Sequence, residues 1–142
     1  MVLNADSGDI PLQGRISGGV KGINLANNDY CVGINLAGDG GEVVTITNKG
    51  YAKRVLLANI DKMARYRKGL KFMTFAKDNG SELVYASVVT NPQTVMCVGE
   101  TDDELYYRST DLIPIEARIG KGKPVDKTKK NLSVKKAFIV NN

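Results

Sequence analysis

The sequence predicts an all-β fold built from propeller-like, four-stranded blades. Three observations carry that expectation. Short β-branched or aromatic segments follow one another along most of the chain, turn-forming residues separate them, and one phrase recurs at a period of about fifty residues.

The strands are read from composition and alternation: YCVGINLA (30–37), EVVTIT (42–47), YAKRVLLA (51–58), LKFMTFA (70–76), ELVYASVV (82–89), TVMCVG (94–99), ELYYRS (104–109) and VKKAFIV (134–140). Turn chemistry divides them at GDGG (38–41), NKG (48–50), DNG (78–80), NPQ (91–93) and TDD (101–103). The helical candidate, NIDKMARYR (59–67), has Asn59 as an N-cap but is short and runs into Gly69, so it is read as a turn or a single helical turn. The Lys-rich stretch KPVDKTKKNLSVKK (123–136) has few apolar residues and is expected to be partly flexible.

The repeat is explicit. IPLQGRISGGVKGINL (10–25) lines up with IDKMARYRKGLKFMTF (60–75) and IPIEARIGKGKPVDKT (113–128). Ile10, Ile60 and Ile113 are spaced by 50 and 53 residues; so are Arg15, Arg65 and Arg118, and Gly19, Gly69 and Gly122. With about four strands per period, the units run over about 8–58, 59–111 and 112–142, the last incomplete. Rings need about four blades or more, so an open arc, or a piece of a longer polypeptide, is expected.

Composition narrows the chemistry. The chain has 142 residues, 42% of them hydrophobic and 25% charged, enough to bury a core. Its apolar runs fall far short of the roughly 18 residues needed to cross a bilayer, so no membrane is expected and a cytoplasmic location is. There is no histidine, which removes Ser-His and Cys-His nucleophiles, and Cys31 and Cys97 lie apart without zinc-ligand spacing. Both are expected to be buried thiols. No catalytic residue, metal or cofactor is expected.

The net charge of +5 is segregated. Between Lys49 and Lys71 there are eight bases against Asp61; between Asp78 and Asp111, seven acids against Arg108; between Arg118 and Lys136, eight bases against Asp126. Such blocks favour a basic edge facing a polyanion. Arginine beside glycine suits phosphate, because glycine lets the backbone approach and the guanidinium forks onto the oxygens. The Gly-Gly pairs serve equally as plain turns between blades, and GGVKG lacks the Walker A spacing.

GRISGGVKGINL, GDGGEVVTITNKGYAKRVLL and RYRKGLKF together resemble the C-terminal repeats of bacterial type IIA topoisomerase A subunits, those of gyrase and topoisomerase IV, over about residues 8–125. TNKGYAKR (47–54) is the most specific part. The resemblance implies a β-pinwheel whose blades share strands, with a basic rim that binds and bends double-stranded DNA. It also implies that catalysis belongs to other domains, and that the partners are the remainder of the A subunit, together with an ATPase subunit. The Arg/Lys-Gly-Gly box typical of gyrase is intact in no copy, which leans towards the topoisomerase IV type.

Arg15, Lys21, Lys49, Lys53, Arg54, Arg65, Arg67, Lys68, Lys71, Arg118, Lys121 and Lys123 are thereby the expected DNA contacts. Tyr51 is read either as a sugar-packing ring or as a half-buried strand residue, and Tyr106 and Tyr107 as packing residues. On the residues alone, a stand-alone β-rich nucleic-acid module and a protein-interaction scaffold compete with this reading. Binding that survives added salt would favour the scaffold.

Overall fold

The computed structural model describes residues 1–129 and 132–140; Lys130, counted above in the third basic block, lies outside them. Among the described residues seven strands form two antiparallel sheets: β1 (Glu42–Thr47), β2 (Tyr51–Leu56), β3 (Leu83–Val89), β4 (Thr94–Val98), β5 (Leu105–Ser109), β6 (Lys123–Pro124) and β7 (Lys136–Val140). One sheet has the order β3-β1-β2-β6 and the other β5-β4-β7. The four-stranded sheet takes its central hairpin from one sequence repeat, β3 from the next and β6 from the third. Blades therefore exchange strands, and the sequence units are not the physical blades.

The β1–β2 hairpin follows from its turn. Thr47 Oγ1 accepts from the backbone N–H groups of Lys49 and Tyr51 at 3.3 and 3.1 Å, and Gly50, at φ 69°, donates to the Thr47 carbonyl at 2.9 Å. A glycine holds that left-handed position at no steric cost. β1 is interior, with neighbours on both sides, and is buried from Val43 to Thr47. Its alternation feeds two cores: Val44 and Ile46 pack with Ala52, Val89, Val95, Cys97, Ile113 and Val134, while Val43 packs with Val55, Ile60 and Phe72. A fully buried side chain of this size contributes about 1.5–3 kcal/mol.

The repeat persists in the backbone. Single 3-10 turns occupy Ser7–Asp9, Leu57–Asn59 and Thr110–Leu112, at the sequence intervals of 50 and 53. Gly19, Gly69 and Gly122 all have φ 77°. Val2 bridges Leu70 as Ala52 pairs Lys123, and Asn4 bridges Lys62 as Arg54 bridges Ile115. Even the side-chain bonds repeat: Asn4 donates to the Ile60 carbonyl at 2.9 Å and Arg54 to that of Ile113 at 2.7 Å.

Two expected strands are not formed. Residues 70–76 bridge only at Leu70, because their carbonyls are taken by side chains: Lys71 by Arg118, Phe72 by Lys53 and Thr74 by Asn79. Residues 30–37 are irregular and touch β3 through Asn35, whose side chain accepts from Ser87 and from the Val88 N–H at 3.0 and 3.3 Å. They belong to no ladder, so Ile34 and Leu36 stand exposed. The same lack of cover corrects one expectation about the thiols: Cys97 is buried but Cys31 is exposed. Burial pushes the Cys97 pKa up to about 12. The helical candidate reduces to the 3-10 turn ending at Asn59 and a tight turn at Arg65–Tyr66, with Tyr66 at φ 60°.

Candidate nucleic-acid interface

The three Arg–Gly turns are laced to one another through side chains and backbone. Arg65 of the second turn donates to the carbonyl of Lys21 in the first at 2.8 Å and to that of Asp9 at 3.1 Å. Tyr66 N–H bonds Gly22, and the Arg67 carbonyl accepts from Asn24 at 3.0 Å. Arg118 of the third turn donates to the carbonyl of Lys71 in the second. Lys21 and Lys71 are equivalent positions of the repeat, so the same clamp is used twice. Its effect is to set consecutive turns side by side.

Lys53 is a correction to the sequence reading. Its residue is fully buried, and its ammonium donates to the carbonyls of Phe72, Arg118, Gly120 at 3.0 Å and, more weakly, Ala117 at 3.4 Å. It cannot reach a ligand. It staples the third turn to the second, and burial lowers its pKa to about 8 although Glu116 opposes the shift. Arg54 is likewise committed, to Glu42 at 2.6 Å and to the carbonyls of Ile113 and Asp111. The reason is geometric: both belong to β2, an interior strand whose side chains meet neighbouring loops before they meet solvent. Arg65 and Arg118 are half-buried, and part of their donor set is spent on the clamps.

Sequence reasoning missed Asn79. It is fully buried, donates to the carbonyls of Thr74 at 2.9 Å and Lys121 at 2.8 Å, and accepts from the Ala76 N–H at 2.6 Å. The signal was the Asn-Gly pair, which was legible as a turn but not as a tie to another repeat. Glu116 does similar work, accepting from the Gly122 N–H at 3.0 Å.

Arg15, Lys21, Arg67, Lys68, Lys71, Lys121 and Lys123 are exposed. They lie on or directly after the three laced turns. Lys21 sits 5.1 Å from the Tyr66 ring centroid, with a 3.3 Å bond to its hydroxyl. Lys49, also exposed, sits apart from this set in a cleft of about 580 Å³ shared with Glu82, Glu100 and Lys135. Tyr51 is half-buried, as are Tyr106 and Arg108 on β5. Among the described residues no group of three or more His, Cys, Asp or Glu side chains is placed to hold a metal ion, and no helix is long and apolar enough to cross a membrane.

Blades that exchange strands, each bringing one cationic Arg–Gly turn to the same row, define a propeller-type repeat domain with a basic edge. The chain belongs to the DNA gyrase C-terminal domain, beta-propeller family, whose profile matches residues 2–37 and 41–90. It is 36% identical over 87 residues to the A subunit of DNA gyrase from Staphylococcus epidermidis, covering 60% of this chain and 10% of that protein. It is 26% identical over 104 residues to the A subunit of DNA topoisomerase 4 from Bacillus subtilis, covering 73% and 13%.

In fold it resembles the C-terminal domain of DNA topoisomerase IV, with a TM-score of 0.83 and 22% identity over 96% of this chain and 42% of that one. It also resembles a DNA gyrase A C-terminal domain, with a TM-score of 0.78 and 18% identity over 95% and 45%. The fold is that of these β-pinwheel domains, present in part. The chain spans about a tenth of the length of the curated relatives and less than half of the solved domains it matches.

Proposed function

We propose that this chain is a non-catalytic domain of a bacterial type IIA topoisomerase A subunit that binds and bends double-stranded DNA, working in the cytoplasm beside its ATPase partner and the rest of that polypeptide. The observation that carries the reading is the double clamp, Arg65 to Lys21 and Arg118 to Lys71, which holds three cationic turns in a row. A duplex presents one charge per roughly 1.7 Å of axis, and cations that neutralise phosphates release counterions. A row with one turn per blade follows a curved path, and bending a site-sized duplex along it costs on the order of 1–6 kcal/mol, offset by the added contacts. Among the described residues no helix or ribbon rich in Asn, Gln and Arg is offered for base edges, so contacts position the duplex and sequence preference is weak.

Fluorescence titration with a duplex at several salt concentrations tests this. If all seven exposed turn cations engage phosphates, the log-log slope approaches about −6, at about −0.9 per phosphate. Neutralising Arg67, Lys68 and Lys71 to glutamine is expected to reduce its magnitude by about 2–3, whereas neutralising Lys135 and Lys136 leaves it nearly unchanged. A slope near zero, or equal losses from both sets, overturns the assignment.

A further inference from the structure

Each of the three basic turns carries a large apolar or aromatic residue directly after its arginine: Ile16, Tyr66 and Ile119, again spaced by 50 and 53 residues. All three are exposed, at 103%, 42% and 53%. The adjoining turns leave these tips open. Ile16 has the second turn after it, Ile119 has the second turn before it, and Tyr66 has a laced turn on either side. One exposed isoleucine is ordinary on a protein surface. The same kind of residue at the tip of every turn, set among exposed cations, is a repeated feature of the edge.

Tyr66 is the informative member. Its backbone is left-handed, at φ 60°, and among the described residues the only other non-glycine with positive φ is Asn28, whose short polar side chain tolerates it. For a bulky ring the conformation is strained. It brings the Tyr66 N–H to the Gly22 carbonyl, a bond that a glycine would make without strain. The ring joins neither core cluster. Its neighbour is Lys21, whose ammonium lies 5.1 Å from the ring centroid and donates to the hydroxyl at 3.3 Å, leaving the tyrosine O–H free to donate in turn. Lys21, Arg67 and Lys68 are themselves exposed, and a lysine over a ring in water adds little to stability. The fold thus keeps a strained, open ring that its own packing does not use.

We infer that Tyr66 is an uncharged contact to double-stranded DNA. Its ring packs against a deoxyribose of the strand whose phosphates Lys21, Arg67 and Lys68 hold, its hydroxyl donates to a phosphate oxygen, and Ile119 makes the equivalent apolar contact one turn further along. Sugars present C–H faces between the phosphates, and tyrosine offers both an apolar body and a polar tip to such a surface. The inference rests on the duplex-binding reading above. It adds to that reading a share of the affinity that salt does not screen, because a neutral side chain releases no counterions.

Tyr66→Gly tests it, since glycine keeps the left-handed turn and removes only the side chain. The variant is expected to melt within about 3 °C of the wild type, relief of strain offsetting the greater chain entropy of glycine. In a duplex titration its Kd is expected to rise about fivefold or more at every salt concentration, with the log-log slope unchanged and Tyr66→Phe falling between the two. The chain has no tryptophan, so Tyr66→Trp provides a single reporter, and acrylamide is expected to quench it less once duplex is bound. A Tyr66→Gly chain that binds as tightly as the wild type, or that loses affinity only with a shallower slope and so through Lys21, overturns the inference and leaves the duplex reading standing. A tryptophan equally open to acrylamide in the complex does the same. A Tm more than about 5 °C lower makes the ring a packing residue and overturns it as well. A wild type that shows no salt-dependent duplex binding overturns both readings.

Discussion

Replacing Lys53 by methionine keeps an unbranched apolar stem, one atom shorter, and removes its charge and all of its donors. Three close carbonyls, those of Phe72, Arg118 and Gly120, then lose a buried partner, at about 1–3 kcal/mol each. Against that loss stands the relief of no longer burying an ammonium. A pKa moved from 10.5 to about 8 corresponds to about 3 kcal/mol at neutral pH, at about 1.4 kcal/mol per unit. With about 2 kcal/mol per carbonyl, the net loss is about 3 kcal/mol, or about 10 °C in Tm for a domain of this size. Urea unfolding followed by far-UV circular dichroism measures it.

The pH dependence has a definite sign. Between about pH 8 and 10.5 the unfolded chain still holds the Lys53 proton while the folded chain has released it, so folding gains stability as pH rises through that window. The gap between the wild type and Lys53→Met is therefore expected to widen there by up to about 3 kcal/mol. A variant as stable as the wild type at pH 7, or a gap that is flat from pH 7 to 10.5, would refute the staple.

Other expectations follow from the same geometry. Gly69→Ala combines a left-handed backbone with a collision at the Val2 carbonyl and is expected to cost more than 3 kcal/mol, whereas Gly19→Ala, with the same φ and open space, costs about 1–2 kcal/mol; chemical denaturation of both variants checks the contrast. Arg118→Ala frees the third turn from the Lys71 carbonyl, so hydrogen exchange in residues 117–123 is expected to quicken at least tenfold while that of the β4–β5 hairpin is unchanged. Iodoacetamide is expected to modify Cys31 in the folded chain and Cys97 only on unfolding, read as one added label and then two by mass spectrometry.

The strands β1 to β5 were legible to within two residues because alternation, β-branched composition and Asn/Gly turns are local properties. The repeat was legible too, since Ile, Arg and Gly recur at matched intervals. The segments at 30–37 and 70–76 carry the same local signals and form no ladder, because a ladder depends on what lies alongside. Beside 70–76 lie Arg118, Lys53 and Asn79, whose side chains take the carbonyls that a strand would have offered. The basic turns of the candidate interface were found in the sequence, but Lys53 and Arg54 were read as surface cations when they are internal ties. No local signal separates a lysine that faces solvent from one that faces four carbonyls.

By itself the sequence determined the period, the hairpins, the placement of one Arg–Gly turn in each unit and the segregation of charge, all of which depend on residues close together in the chain. Only the tertiary structure decided which strands share a blade, which cations are spent inside and which remain at the edge. Those outcomes turn on contacts between residues some fifty positions apart, where packing and carbonyl geometry, rather than residue type, select the partner.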